Sequence, residues 1–111
     1  MLFRSKEILL EKRPPSGIWG GLWSLPEISS QEIATQIVLS RFGLNTEAEE
    51  PLPGIQHVFT HFKLEITPQP LHVVSKPLRA NMRNMIWLPI EDAVGAALAT
   101  PVRNILLNLS H

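Results

Sequence analysis

An α+β fold, in which a mixed β-sheet is packed by helices, is the class this 111-residue chain predicts, and three patterns predict it. Residues 7–13 (Glu-Ile-Leu-Leu-Glu-Lys-Arg) have the apolar centre of a buried strand. Phe62, Leu64 and Ile66 alternate with Lys63, Glu65 and Thr67, the period of a half-buried strand. Ile33, Ile37, Val38 and Phe42 recur at helical spacing between a Ser29/Glu32 capping box and Gly43, a glycine placed to end a helix.

The other elements fall between these in order. A short first strand turns at Ser5-Lys6 into the buried strand, which Pro14-Pro15-Ser16-Gly17 breaks. Residues 18–25 are a loop passing into a short strand, with Gly20 and Gly21 where backbone must bend or approach closely. After the helix, residues 45–53 are an acidic, proline-marked surface connection. Residues 55–59 form a strand, and residues 71–75 continue the sheet of strand 62–67 after a bend at Pro68 and Pro70. Residues 85–88 are a further strand, ended by Pro89, and residues 91–98 a short alanine-rich helix. Thr100 as N-cap with Pro101 behind it opens the last helix, whose apolar stripe is Val102, Ile105, Leu106 and Leu109. The predicted order is β-β-β-α-β-β-β-α-α.

Composition narrows the class of protein. At 44% hydrophobic and 18% charged residues the chain is a folded domain and not a disordered segment, and its length suits one domain over residues 1–111. The ten prolines are scattered as turn punctuation. There is no cysteine, so the chain itself offers no disulfide, no Cys-based zinc site and no iron–sulfur ligand. No apolar run approaches the roughly 20 residues of a membrane helix, and no partner membrane is expected; the missing cysteine fits a cytoplasmic location. Formal net charge is zero, whereas free-standing nucleic-acid binders carry a basic excess. Any role on DNA therefore needs a local site or a basic surface supplied elsewhere in the protein.

Gly21 and Glu27 stand at the spacing of the first two fixed positions of the Nudix pyrophosphohydrolase signature, G-x5-E-x7-R-E-U-x-E-E-x-G-U, and Gly43-Leu44 resembles its closing pair with a one-residue slip. Counting forward from Glu27 puts Leu39 and Ser40 at the paired glutamates; counting back from Gly43 puts Ser40 and Arg41 there. Neither register supplies the carboxylate oxygens that magnesium needs. The layout of a Nudix fold is present without its hydrolytic chemistry.

A more specific resemblance lies in two long stretches. Leu9-Leu-Glu-Lys-Arg-Pro-Pro-Ser-Gly-Ile-Trp-Gly-Gly-Leu-Trp-Ser-Leu-Pro26 resembles the "LL-x-x-R-P-x-x-G-L-W-G-G-L-W-x-x-P" stretch of the C-terminal, Nudix-like domain of the MutY adenine DNA glycosylases. His57-Val-Phe-Thr-His-Phe-Lys-Leu-Glu-Ile66 resembles that family's "H-x-F-S-H-F-x-L-x-I". Trp87-Leu-Pro and Ala99-Thr-Pro-Val-Arg103 resemble its closing "W… A-x-P-V", so the matches span nearly the whole chain in the family's order.

The resemblance implies base-excision repair in a cytoplasmic, nucleoid-associated setting of the bacterial type. The family excises adenine paired with 8-oxoguanine, using a helical N-terminal domain that flips out the base and carries a catalytic aspartate and a [4Fe–4S] cluster. None of that domain is in this chain, which is expected to be non-catalytic alone and to hold no cofactor. Its implied partners are that N-terminal catalytic domain and double-stranded DNA bearing A·8-oxoguanine or A·G mispairs. The family's C-terminal domain reads the oxidised base through a loop holding Phe-Ser-His, which carries over as Phe59, Thr60 and His61. Phe59 is then the loop anchor, Thr60 the probe of the base, and His61 a contact to the lesion nucleotide or its phosphate. Thr60 departs from the family's serine: the hydroxyl is kept, but β-branching narrows its rotamers.

Each of these residues also has a plain structural reading. Residues 59–62 are ordinary strand and hairpin residues when taken without the resemblance. His57, His61 and His72 have no carboxylate at ligand spacing, so they are not expected to bind a metal. Trp19 and Trp23 are expected to pack their loop against the sheet, with base stacking as the alternative. Arg13, Lys63 and Arg83, and beside them Lys12 and Arg79, are candidate phosphate contacts or plain solvated surface. Two other functions stay beside the leading one: an interaction or scaffold domain that touches no lesion, and a hydrolase of oxidised nucleotides.

Overall fold

A computed structural model describes residues 1–4, 6–29, 31–74 and 84–109. The elements are β1 (Leu2–Arg4), β2 (Glu7–Lys12), β3 (Trp23–Ser24), α1 (Ala34–Phe42), β4 (Thr46–Ala48), β5 (Ile55–Val58), β6 (Lys63–Ile66), β7 (Leu71–Val73), β8 (Met85–Pro89), α2 (Ile90–Ala93) and α3 (Thr100–Leu109).

The central strand is β2. Along one edge it pairs antiparallel with β8, from Glu7 opposite Pro89 to Glu11 opposite Met85. Its other edge is shared between β1, which pairs with its first residues, and β3, which pairs with Glu11 and Lys12. Beyond β1 the sheet continues through a parallel pairing to β7 and then an antiparallel one to β4. The expected mixed sheet therefore has six strands.

Ile8, Leu9 and Leu10 are all fully buried, because helices cover both faces of this strand. Alternation sends Ile8 and Leu10 to one side, where they meet Ala93, Leu98, Val102, Ile105 and Leu106 from the α2–α3 region. Leu9 points the other way, to Leu2, Leu44, Leu71 and Val38 of α1. Each such side chain contributes roughly 1.5–3 kcal/mol on leaving water.

Four elements differ from expectation. Strand β4 lies inside the 45–53 segment read as surface connection, and it is the pairing with β7, and no apolar pattern of its own, that makes it a strand. The Ser29/Glu32 box forms, with the Ser29 amide donating to the Glu32 carboxylate at 3.0 Å, but it closes a separate turn. Helix α1 starts only at Ala34, and Ile33 at its N-cap is 59% exposed, so Ile33 does not belong to the buried stripe. Gly43 ends the helix as expected, in the left-handed conformation (φ 68°), with its amide on the Leu39 carbonyl. The 91–98 helix shortens to α2, because the chain leaves it to bridge Leu98 to Trp23, with the Trp23 amide on the Ala97 carbonyl at 2.8 Å. In α3 the Ala99 carbonyl accepts from the Arg103 amide, so the helix begins one residue earlier than a Thr100 cap implies. Residue 75 of the expected strand 71–75 lies outside the described residues.

The largest difference concerns β5 and β6. They pair with each other in register, Ile55 opposite Ile66 and Val58 opposite Lys63, but form a two-stranded hairpin separate from the main sheet. Pro51 and Pro53 before it and Pro68 and Pro70 after it lack the amide donors a regular ladder needs, so the link to the β4–β7 pair thins to the bonds from Glu49 to Pro70 at 3.1 Å and from Leu52 to Pro68 at 2.9 Å. Ile55, Ile66 and Leu52 seat its base on the α2–α3 side of the core.

Candidate functional site

The hairpin carries residues 59–61 at its tip. The Phe59 amide donates to the Phe62 carbonyl at 2.8 Å, which closes the loop and leaves Thr60 and His61 exposed at the turn. Phe59 is half-buried. Pairing puts Ile55, His57, Phe59, Phe62, Leu64 and Ile66 on one face of the hairpin, and Val58 (62% exposed) with Lys63 on the other. The first face is apolar from base to tip and becomes more open outward, ending in Phe62 at 46% exposure.

Aromatic rings run along this face. Phe62 stacks on Phe59 with centroids 4.5 Å apart, and His57 stands edge-on to Phe59 at 4.7 Å. Trp19 closes the cluster from outside the hairpin, 5.6 Å from Phe59 and 5.8 Å from His57. Trp19 thus packs on the hairpin as well as on the core, where the sequence suggested the sheet alone.

Trp19 sits in a tightly closed loop. The Arg13 amide donates to the Leu22 carbonyl at 2.9 Å, the Gly21 amide to Pro14 at 3.1 Å and the Leu22 amide to Trp19 at 3.1 Å. The Arg13 guanidinium donates to the Ile18 carbonyl at 3.0 Å. Trp19 has φ +55°, a conformation that costs a bulky L-residue of order 1–3 kcal/mol and persists only where surrounding structure imposes it. The two glycines divide the work foreseen for them: Gly21 takes a left-handed φ of 77°, and Gly20 lies where backbone passes too close for a side chain.

The degenerate Nudix segment forms a different surface, a cleft of about 160 Å³ lined by Glu11, Arg13, Ser24, Glu27 and Arg41 among others. Arg41, on α1, donates to both Glu11 carboxylate oxygens at 3.1 and 3.3 Å and to the Glu27 carbonyl at 3.2 Å. The Glu27 carboxylate itself pairs with Arg13. Each carboxylate is therefore taken by a guanidinium, Glu11 by Arg41 and Glu27 by Arg13, and Leu39 and Ser40 are exposed and carry no carboxylate. These residues do not fit a magnesium ion. Among the described residues no group of three or more His, Asp or Glu is arranged to hold a metal, and with no cysteine in the chain a [4Fe–4S] cluster has no ligand here.

The other candidate residues have varied surroundings. Arg13 is engaged by Glu27, Ile18 and the Trp19 ring at 6.0 Å. Lys63 is exposed on the hairpin's outer face, and Lys12 lies 6.0 Å above Trp23. Arg79 and Arg83 lie outside the described residues. His72 pairs with Glu49 at 2.8 Å and stacks on Phe3, far from the role of a shared ligand with His57, which is enclosed by rings. Glu11 and Arg41 were invisible as a pair in the sequence, being thirty residues apart.

A helix-covered mixed sheet with this strand–loop–helix, but with arginine where the helix would carry carboxylates, defines a Nudix-type domain lacking the metal-binding set. The chain belongs to the NUDIX domain family, whose profile covers residues 1–108. It is similar to mouse adenine DNA glycosylase, at 27% identity over 109 residues. That match takes in 88% of this chain and only 21% of the mouse protein, so the chain spans about a fifth of that relative's length. The C-terminal domain of mouse MUTYH, solved in complex with human PCNA, superposes with a TM-score of 0.68 at 27% identity, covering 87% of this chain and 70% of that one. RenU, a Nudix hydrolase of M. smegmatis, shares the fold with a TM-score of 0.66 at 17% identity, over 94% of this chain and 73% of its own.

Proposed function

We propose that this chain is the lesion-recognising domain of an adenine DNA glycosylase acting in base-excision repair, and that Thr60 reads 8-oxoguanine opposite adenine. The observation that carries the reading is the exposed Thr60-His61 turn at the tip of a hairpin braced by aromatic rings. The similarity to the mouse glycosylase supports the parent protein's class. Excision itself belongs to a helical catalytic domain with a [4Fe–4S] cluster outside these residues.

The chemistry suits a hydroxyl. Guanine N7 only accepts in the major groove, whereas 8-oxoguanine carries a hydrogen there and a carbonyl at C8. The Thr60 hydroxyl oxygen accepts from that N7–H, and backbone amides of the turn donate to O8. His61 contacts the lesion nucleotide or its phosphate. The bond to N7–H exists only with the oxidised base, so it separates the two purines.

The test is Thr60→Val, which keeps the shape and removes the hydroxyl. A net hydrogen bond is worth roughly 0.5–1.5 kcal/mol, so the preference for A·8-oxoguanine over A·G should fall about 2- to 12-fold in single-turnover adenine excision by the full-length protein. Thr60→Ser should keep most of it. An unchanged ratio in a folded Val variant would move the discrimination to another residue.

A further inference from the structure

The hairpin that bears Thr60 is a poor platform by itself. A two-stranded ribbon is marginally stable in water, and β5–β6 is tied toward the β4–β7 pair at its base by the Glu49–Pro70 and Leu52–Pro68 backbone bonds and not by a regular ladder. Its base is seated by Ile55, Ile66 and Leu52, but its outer half reaches past the core to a largely exposed tip. Among the described residues, the ring contacts to that outer half from outside the hairpin come from one side chain, Trp19, against His57 and Phe59. The loop presenting Trp19 is itself tied down by the four bonds from Arg13, Gly21 and Leu22, and it holds Trp19 at φ +55°. A residue strained in this way is over-determined by its surroundings, and such strain collects at sites where position matters.

We propose that Trp19 is a positioning residue for the 59–61 turn: loop 14–22 sets the angle of the hairpin through the Trp19–His57–Phe59–Phe62 ring column, so selectivity at Thr60 depends on a side chain forty-one residues away that does not touch the lesion. This rests on the reading of Thr60 given above for its functional consequence, and on geometry alone for its structural one. Rings suit the task because an indole edge-on or tilted against two others resists sliding, which an aliphatic contact does not.

The structural arm uses the 111-residue chain and amide hydrogen exchange, comparing wild type with Trp19→Leu, which keeps apolar bulk on the core, and Trp19→Phe, which keeps a ring. In Trp19→Leu the paired amides of β5 and β6 should exchange faster, on the order of tenfold for the loss of two aromatic contacts, while β2–β8 amides keep their protection. The His57 ring protons, which also lie against Phe59, should lose the Trp19 share of their ring-current shift in the Leu variant and keep most of it in Phe. Unchanged hairpin protection in Trp19→Leu overturns the proposal. So does an equal loss across β2–β8, since the ring would then serve the core and not the hairpin.

The functional arm is the excision ratio for A·8-oxoguanine over A·G in the full-length protein. Trp19→Leu should lower it to the level of Thr60→Val, and Trp19→Phe should restore it. A ratio insensitive to Thr60→Val, with the hairpin loosened in Trp19→Leu, removes the lesion reading and leaves the positioning. A ratio that falls with Thr60→Val while the hairpin stays protected in Trp19→Leu removes the positioning alone.

Discussion

Replacing Gly20 with alanine isolates the loop that presents Trp19. A Cβ built on Gly20 falls 2.4 Å from the Pro15 carbonyl oxygen and 2.9 Å from its carbon. Real Cβ contacts stop near 3.0 Å, so the two strands of the loop must separate by at least about 0.6 Å, and the obstacle is backbone, which cannot swing aside as a side chain can. Separation along that line strains the bond from the Gly21 amide to Pro14, next in the chain to the obstructing carbonyl. Overpacking of this kind costs about 1–3 kcal/mol, and the lost bond another ~0.5–1.5, so Gly20→Ala should destabilise the chain by about 1.5–4.5 kcal/mol. Gly21→Ala is the internal control. Its φ of 77° is left-handed but no heavy atom lies within 4 Å of the new methyl, so only the conformational cost of roughly 1–2 kcal/mol applies. Urea unfolding followed by tryptophan fluorescence gives both values. Gly20→Ala within about 0.5 kcal/mol of wild type, or milder than Gly21→Ala, would refute the close-approach reasoning.

Two further outcomes are expected. The chain should leave 8-oxo-dGTP intact in the presence of magnesium, because Arg41 stands where carboxylates are needed; turnover abolished by changing Glu27 would contradict this. The isolated chain, neutral overall, should bind DNA weakly and with a shallow salt slope in a titration against ionic strength, since few counterions are released; tight, salt-sensitive binding would reveal a basic face.

How much of this protein its sequence determines follows from the range of the forces involved. Strand β2 was legible because its burial is written into three adjacent apolar residues, and α1 because helical spacing and Gly43 are local signals. The missing carboxylates at residues 39–41 were equally plain, since absence of a residue type needs no coordinates. Residues 59–61 could be singled out only through a family pattern, as a Phe-Thr-His turn has no chemistry of its own to announce it.

Tertiary structure decided the rest. Strand β4 exists because β7 lies beside it, and Thr46, Glu47 and Ala48 carry no strand period of their own. The 55–66 pair reads as sheet in sequence and stands apart in space, because alternation reports which face is buried and not which edge finds a partner. Arg41 meets the Glu11 carboxylate and the Glu27 carbonyl only when α1 is laid against the sheet. Trp19 meets His57 and Phe59 across some forty residues of chain, and its left-handed backbone, which the preference of a bulky residue opposes, is held by a loop whose ends, residues 13–14 and 21–22, are hydrogen-bonded to each other. Local propensity acts over one turn or one strand, whereas contacts of this kind exist only after the core has brought the segments together.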